Sequence, residues 1–202
     1  MKLLPGSLKS LVGEMSKLPG VGEKTALRYA VTLIRSGRPR IESLQRALDS
    51  VSQEISFCPQ CHFWADEGVC PICSDTNRTA QRLCVVRDAP DVIALERFKS
   101  HPWRYHVLQG LLSPLSGVGP GQIRMASLFK RLEEGNTQEL ILAFDATVEG
   151  DATALFIRDQ IKNKGLSVTL TRTAMGLPAG AAVEYLDPST LENALLHRMA
   201  FE

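Results

Sequence analysis

Four of the five cysteines in this 202-residue chain fall as Cys58-x2-Cys61 and Cys70-x2-Cys73, in the run CPQCHFWADEGVCPIC. A C-x2-C turn points two thiolates at one ion, and two such turns close a tetrahedral site with no open position, as in structural rather than catalytic zinc. Structural zinc contributes about 10 to 16 kcal/mol in small peptides, enough to order a segment poor in apolar residues. Two disulfides are the alternative. The opening MKLLPGSLKSLVGEM shows neither a long apolar run nor a small-residue cleavage site, so a cytoplasmic, reducing location and a metal are expected. His62 adjoins Cys61, but four thiolates already satisfy the ion and His62 is expected to be solvated. Cys84, in the apolar run LCVV, reads as a buried strand residue.

Two further stretches carry chemistry. In LAFDATVEGDATA, an apolar strand opens onto Asp145, Glu149 and Asp151 ahead of a helix. These carboxylates suit a magnesium shell, or they cap and charge the following helix. In LPGVGEKTALRYA, Gly20 and Gly22 can adopt conformations closed to other residues and leave room for a phosphate at the free N–H groups opening the next helix. Lys24 and Arg28, four apart, share a face of that helix, and Lys17 stands ready to join them. A helix-to-helix bend is the plainer reading. Tyr29 is the only aromatic before Phe57, so no base-stacking platform accompanies the cations.

The elements that must position these residues divide the chain. Composition is that of an ordinary globular protein, and no apolar stretch approaches the ~20 residues of a membrane span. Net charge is +1, which gives no global argument for a polyanion partner, yet residues 1 to 57 hold nine Lys or Arg against five Asp or Glu, a surplus of four, so a contact with nucleic acid is sought there. Helical periodicity covers residues 7 to 55, broken at KLPGVGEK and SGRPR. Beyond Arg82 strands are expected at 83–86, 105–108, 140–144 and 167–171, with helices around 92–98, 125–132 and 152–162. The alternation implies an α/β fold with a mainly parallel sheet and helices on its faces. The tail AAVEYLDPSTLENALLHRM reads as a short strand, then a helix capped by Asp187 with Pro188 first.

The hairpin resembles the helix-hairpin-helix motif, which grips the nucleic-acid backbone without reading bases. Residues 83 to 172 resemble the Toprim domain of topoisomerases, primases and related nucleases. In active members a Glu ends the first strand and a later strand ends in Asp-x-Asp, followed by Glu-Gly-Glu. Here Arg87 in CVVRDAP takes the place of the first Glu, and Asp145-Ala146-Thr147 takes that of Asp-x-Asp. A cation in place of a ligand repels a divalent ion, by roughly 8 kcal/mol at about 4 Å and an effective dielectric of 20. An internal ion pair with Asp145 or Asp88 is one role open to Arg87. The loop is therefore expected to be the shell of an active site.

With SPLSGVGP, TVEGDATA and GLPAG added, the order of motifs resembles the RecR family of bacterial recombination mediators over essentially the whole length. Arg87 departs from the family's usual Glu, and Asp145-Ala146 from its common Asn-Pro. The resemblance implies a helix-hairpin-helix region at 1–55, a four-cysteine zinc finger at 56–78, a Toprim-like domain at 79–172 and an assembly segment at 173–202, within which AAVEYLD looks like the family's Walker-B-like segment. It implies a non-enzymatic DNA clamp, assembled as a dimer or tetrameric ring, that works with RecO, and in many bacteria RecF, to load RecA onto gapped DNA coated with SSB. Lys24 and Arg28 then match the DNA-contacting basic positions, and the four cysteines match the zinc ligands. The competing functions are a magnesium-dependent Toprim nuclease or primase-like enzyme, and a protein-interaction adaptor in which the hairpin only bends the chain.

Overall fold

The computed structural model describes residues 3–97, 102–174, 176–177, 180–196 and 198. The chain forms two compact units, Met1–Ile55 and Ser56–Glu202.

The first unit is helical: α1 (Gly6–Met15), α2 (Glu23–Arg35) and α3 (Arg38–Glu54). Val12 of α1 is fully buried against Ala26 and Ala30 of α2, and Leu8, Met15, Val21 and Leu27 close around them. Two alanines one turn apart let the helices approach closely, which the apolar spacing in the sequence anticipates. Gly37, at φ 81°, turns the chain into α3, with Pro39 in its first turn. No residue of α3 is buried.

In the second unit, β1 (Ser56–Phe57) and β2 (Trp64–Ala65) pair antiparallel at the start of the cysteine segment, and α4 (Pro71–Ser74) forms its second cysteine turn, with Cys70 as N-cap and Cys73 within it. The main sheet contains β3 (Thr79–Val86), then α5 (Ala89–Leu95), β4 (Trp103–Val107), α6 (Met125–Glu134), β5 (Glu139–Ala143), α7 (Val148–Asn163) and β6 (Thr169–Arg172). Its order is β4-β3-β5-β6 and every pairing is parallel. A parallel sheet must be covered on both faces, and the alternation along β3 shows how. Leu83 and Val85 join Leu140 and Leu142 under Leu128, Phe129 and Leu132 of α6 and Ile157 and Ile161 of α7. Cys84 and Val86 join Ile141, Tyr105 and Val107 on the other face, covered by Val92 of α5 and by Phe63 and Ile72 of the cysteine segment. The cysteine segment thus stands where a helix would otherwise cover the sheet.

Several expected bounds shift. The helix expected from 152 begins at Val148, because Thr147 caps it by accepting a hydrogen bond from Gly150 N at 3.1 Å. The helix expected at 92–98 runs Ala89–Leu95, opened by a capping box between Asp88 and Asp91; Phe98 lies outside the described residues. In place of the strand expected in AAVEYLD, Val183–Tyr185 is a short 3-10 turn with both end residues exposed, and no strand among the described residues offers it a ladder. The closing helix, α8 (Pro188–Leu196), begins as expected, with Asp187 accepting from Thr190 N at 2.9 Å. Pro178 and Ala179 of GLPAG and the residues 197 and 199–202 lie outside the described residues. Among the described residues no helix is long and apolar enough to cross a membrane.

Candidate metal centre and nucleic-acid interface

The backbone around the cysteines explains why these spacings converge. Cys58 N donates to Phe63 O at 2.7 Å and His62 N to Cys58 O at 2.9 Å, while His62 itself sits at φ 61°. This tight turn brings Cys58 and Cys61 to one side. In the second turn Cys73 N and Ser74 N donate to Cys70 O at 3.0 and 3.1 Å. All four sulfurs are buried and lie within 4.8 Å of one another, with Cys61 and Cys70 at 3.5 Å. A tetrahedral ion with sulfur at about 2.3 Å sets sulfur–sulfur spacings of about 3.8 Å, so the donor set fits such an ion. The hydrogen bond between Cys61 and Cys73 draws the Cys73 thiol down to about 6 and pushes Cys61 well up, and burial pushes Cys70 up, so the sulfurs are strongly coupled. None of the described cysteines is in a disulfide. Cys84 is a buried strand residue on β3, its thiol pushed up to about 12 by burial.

The segment is held by polar contacts as well as by Phe63 and Ile72. Val107 N donates to Cys61 O at 2.8 Å, and Gln109 Nε2 to His62 O at 3.2 Å. At its far end Arg78 binds Glu96 at 2.6 Å and Asp75 at 3.2 Å. His62 is not a solvated side chain. Its Nε2 lies 2.8 Å from Ser127 Oγ and its ring meets His106 edge-on at 5.2 Å, so it points at α6 rather than at the thiols.

At the C-terminal ends of neighbouring strands β3 and β5, Arg87 reaches Asp145 at 2.6 Å through Nη1 and Asp88 at 3.1 Å through Nε. Asp151 is held by Arg172 at 2.6 Å. Glu149 and Asp151 both lie in the first turn of α7, where negative charge suits the helix dipole. These pairs are half exposed and contribute at most about 1 kcal/mol each. Their consequence is occupancy: a magnesium ion would have to displace a guanidinium from Asp145 and tolerate its charge nearby. Gly150 belongs to the same design, because a Cβ there would overlap the carbonyl oxygen of Asp145.

In the first unit, Val21 N donates to Leu18 O at 3.0 Å, closing a turn in which Gly20 has φ 77°. Only Gly20 uses the left-handed region. Gly22 is extended, at φ −78° and ψ 166°, and is the N-cap of α2, where it provides no side-chain hydrogen bond to the first-turn amides. Those N–H groups have no intrahelical partner either, and a Cβ at Gly22 would meet nothing within 4 Å. Lys24 and Arg28 are exposed, and neither has an ion-pair partner among the described residues. Lys17 differs, being paired with Glu14 at 2.7 Å.

Family models match the chain in four consecutive stretches: a RecR helix-hairpin-helix over residues 8–52, a RecR four-cysteine zinc finger domain over 55–75, a Toprim domain over 81–172 and a RecR C-terminal region over 176–199. The recombination protein RecR of Myxococcus xanthus is 43% identical over 196 residues, covering 97% of this chain and 98% of its own length. The chain belongs to the RecR family. RecR of Geobacter sp. strain M21 is 45% identical over 190 residues and that of Syntrophotalea carbinolica 41% over 189, each covering 94% of both chains. The RecR zinc-finger match falls on the four clustered thiols, and the RecR helix-hairpin-helix match on the Gly20–Gly22 turn. The Toprim match spans both Arg87 and Asp145, so this member of the RecR family carries a degenerate, non-catalytic form of that fold.

Some residues that shape these sites escape sequence reading. Thr147 could have been found as a Thr followed three residues later by a helix-opening amide. Arg131, which donates to the carbonyls of Tyr105 at 2.7 Å and Gln60 at 3.3 Å, has no local signature, since both acceptors are distant in sequence.

Proposed function

We propose that this protein is a DNA-binding recombination mediator that holds the sugar-phosphate backbone through the first-turn amides of α2 together with Lys24 and Arg28, approached across Gly20 and Gly22. The observation that carries the reading is the conjunction of an uncapped helix start with two exposed cations that have no ion-pair partner among the described residues. Such a surface recognises phosphate and is indifferent to base identity. The functional regions are 1–55 for DNA, 56–78 for zinc, 79–172 for the Toprim-like sheet and 173–202 for assembly.

The metal is a structural Zn2+ held by Cys58, Cys61, Cys70 and Cys73, which supports the fold and takes no part in chemistry. One zinc per chain by elemental analysis is the expected result, and its absence would refute this. Assembly with further copies is supported by α3, on which Ile41, Leu48 and Val51 are 41%, 62% and 60% exposed along one stripe. Several modest cationic patches joined in a dimer or ring act at high effective concentration, which suits a chain of net charge +1. RecO, and RecF where present, are the protein partners to which family membership points, in the cytoplasm and at the nucleoid, on gapped DNA destined for RecA. Arg87 seated on Asp145 argues against a magnesium-dependent nuclease or primase-like activity.

The test is fluorescence anisotropy on labelled DNA across a salt series. Lys24→Ala with Arg28→Ala should weaken binding at low salt and reduce the slope of log affinity against log salt by about 1.4 to 1.8. Superimposable curves for parent and variant would remove the hairpin from the interface and leave it a simple turn.

A further inference from the structure

Arg131 projects from α6 between β4 and the cysteine segment, where its Nη1 donates to Tyr105 O and to Gln60 O, the carbonyl of the residue preceding Cys61. No carboxylate lies within 4.0 Å of it among the described residues. Burial pushes its guanidinium down from the ordinary value, the charges of Cys73, Cys61 and Cys58 push it up, and Arg104 adds a like-charge push down. A partly buried guanidinium with no carboxylate partner is incompletely solvated, and a second guanidinium nearby adds to its cost. The charge that answers it is on the sulfurs. Four thiolates around one Zn2+ sum to −2, a cluster too negative to be left alone in a buried setting.

We infer that Arg131 is the counter-ion of the metal–thiolate cluster, a positioning residue whose charge beside Gln60 and Cys61 relieves the excess negative charge on the sulfurs and so holds the metal in place. The inference rests on the reading of the cluster as a zinc site. An adjoining cavity of about 410 Å3 is lined by Arg104, Lys130 and Arg131 together with Gln60, Asn136 and Thr137. Lys130 in its wall has Glu134 at 3.9 Å.

The experiment is zinc affinity of the full chain, measured by competition with a chromophoric chelator. Arg131→Gln should bind zinc about 10 to 100-fold more weakly, as losses next to metal ligands do, and Arg131→Lys, which keeps the charge, should return to within about threefold of the parent. Lys130→Gln removes a charge from the exposed side of the same helix and should leave the affinity unchanged. Arg131→Met fills a similar volume without an unpaired polar group, and replaces the Gln variant should that one not fold. Parent-like affinity in the neutral variant overturns the inference. Equal losses in the Lys and neutral variants also overturn it, because the carbonyl contacts and not the charge would then be responsible. A parent that binds no zinc overturns the metal reading itself, and this one with it.

Discussion

The hairpin and the acidic loop both place charged side chains at the start of a helix, yet they use them in opposite ways. At the hairpin Gly22 gives α2 no capping side chain, and Lys24 and Arg28 have no carboxylate partner among the described residues. At the acidic loop Thr147 caps α7, Arg87 is seated on Asp145 and Arg172 on Asp151. Charge satisfied within the chain is part of the architecture. Charge left unsatisfied at an open surface is available to something else, and hydrogen-bond donors with cations select phosphate.

That contrast can be broken from either side. The largest effect is expected at Gly150, where Ala would drive a methyl group into the Asp145 carbonyl and force the loop off its helix, at a cost of about 3 kcal/mol. Thermal unfolding should show the loss while the DNA affinity of the molecules that remain folded stays near the parent's. Next comes the double change at Lys24 and Arg28, expected to lower DNA affinity at low salt about tenfold or more with no change in melting temperature. A drop in melting temperature comparable to that of Gly150→Ala would mean that these cations are structural too. The smallest effect is expected for Arg87→Ala: at most about 1 kcal/mol of stability for each of its two half-exposed pairs, with Asp145 and Asp88, and unchanged DNA binding. A marked loss of DNA affinity there would erase the distinction between the two regions.

What the sequence makes legible follows from how local each signal is. The C-x2-C turns, the glycine hairpin and the apolar strands are written within a few residues, and each appears where expected. Arg87 opposite Asp145 is legible only as an option, because their pairing depends on β3 and β5 being neighbours. The strand expected in AAVEYLD fails for a related reason: alternation makes a strand possible, but a partner makes it real. Phe63 and Ile72 look like ordinary apolar residues of a short segment, and nothing near them in sequence says that they cover the sheet. Arg131 is silent for the same reason. Its meaning lies in two carbonyls and a set of sulfurs supplied by other elements.

Phe63 and Ile72 pack with the cysteines and with the sheet at once. The finger is therefore no detachable ornament. Excising it would leave Val86, Tyr105 and Val107 with only part of their cover and wet one side of the strands, so a segment recognised by its thiols also keeps the second unit dry.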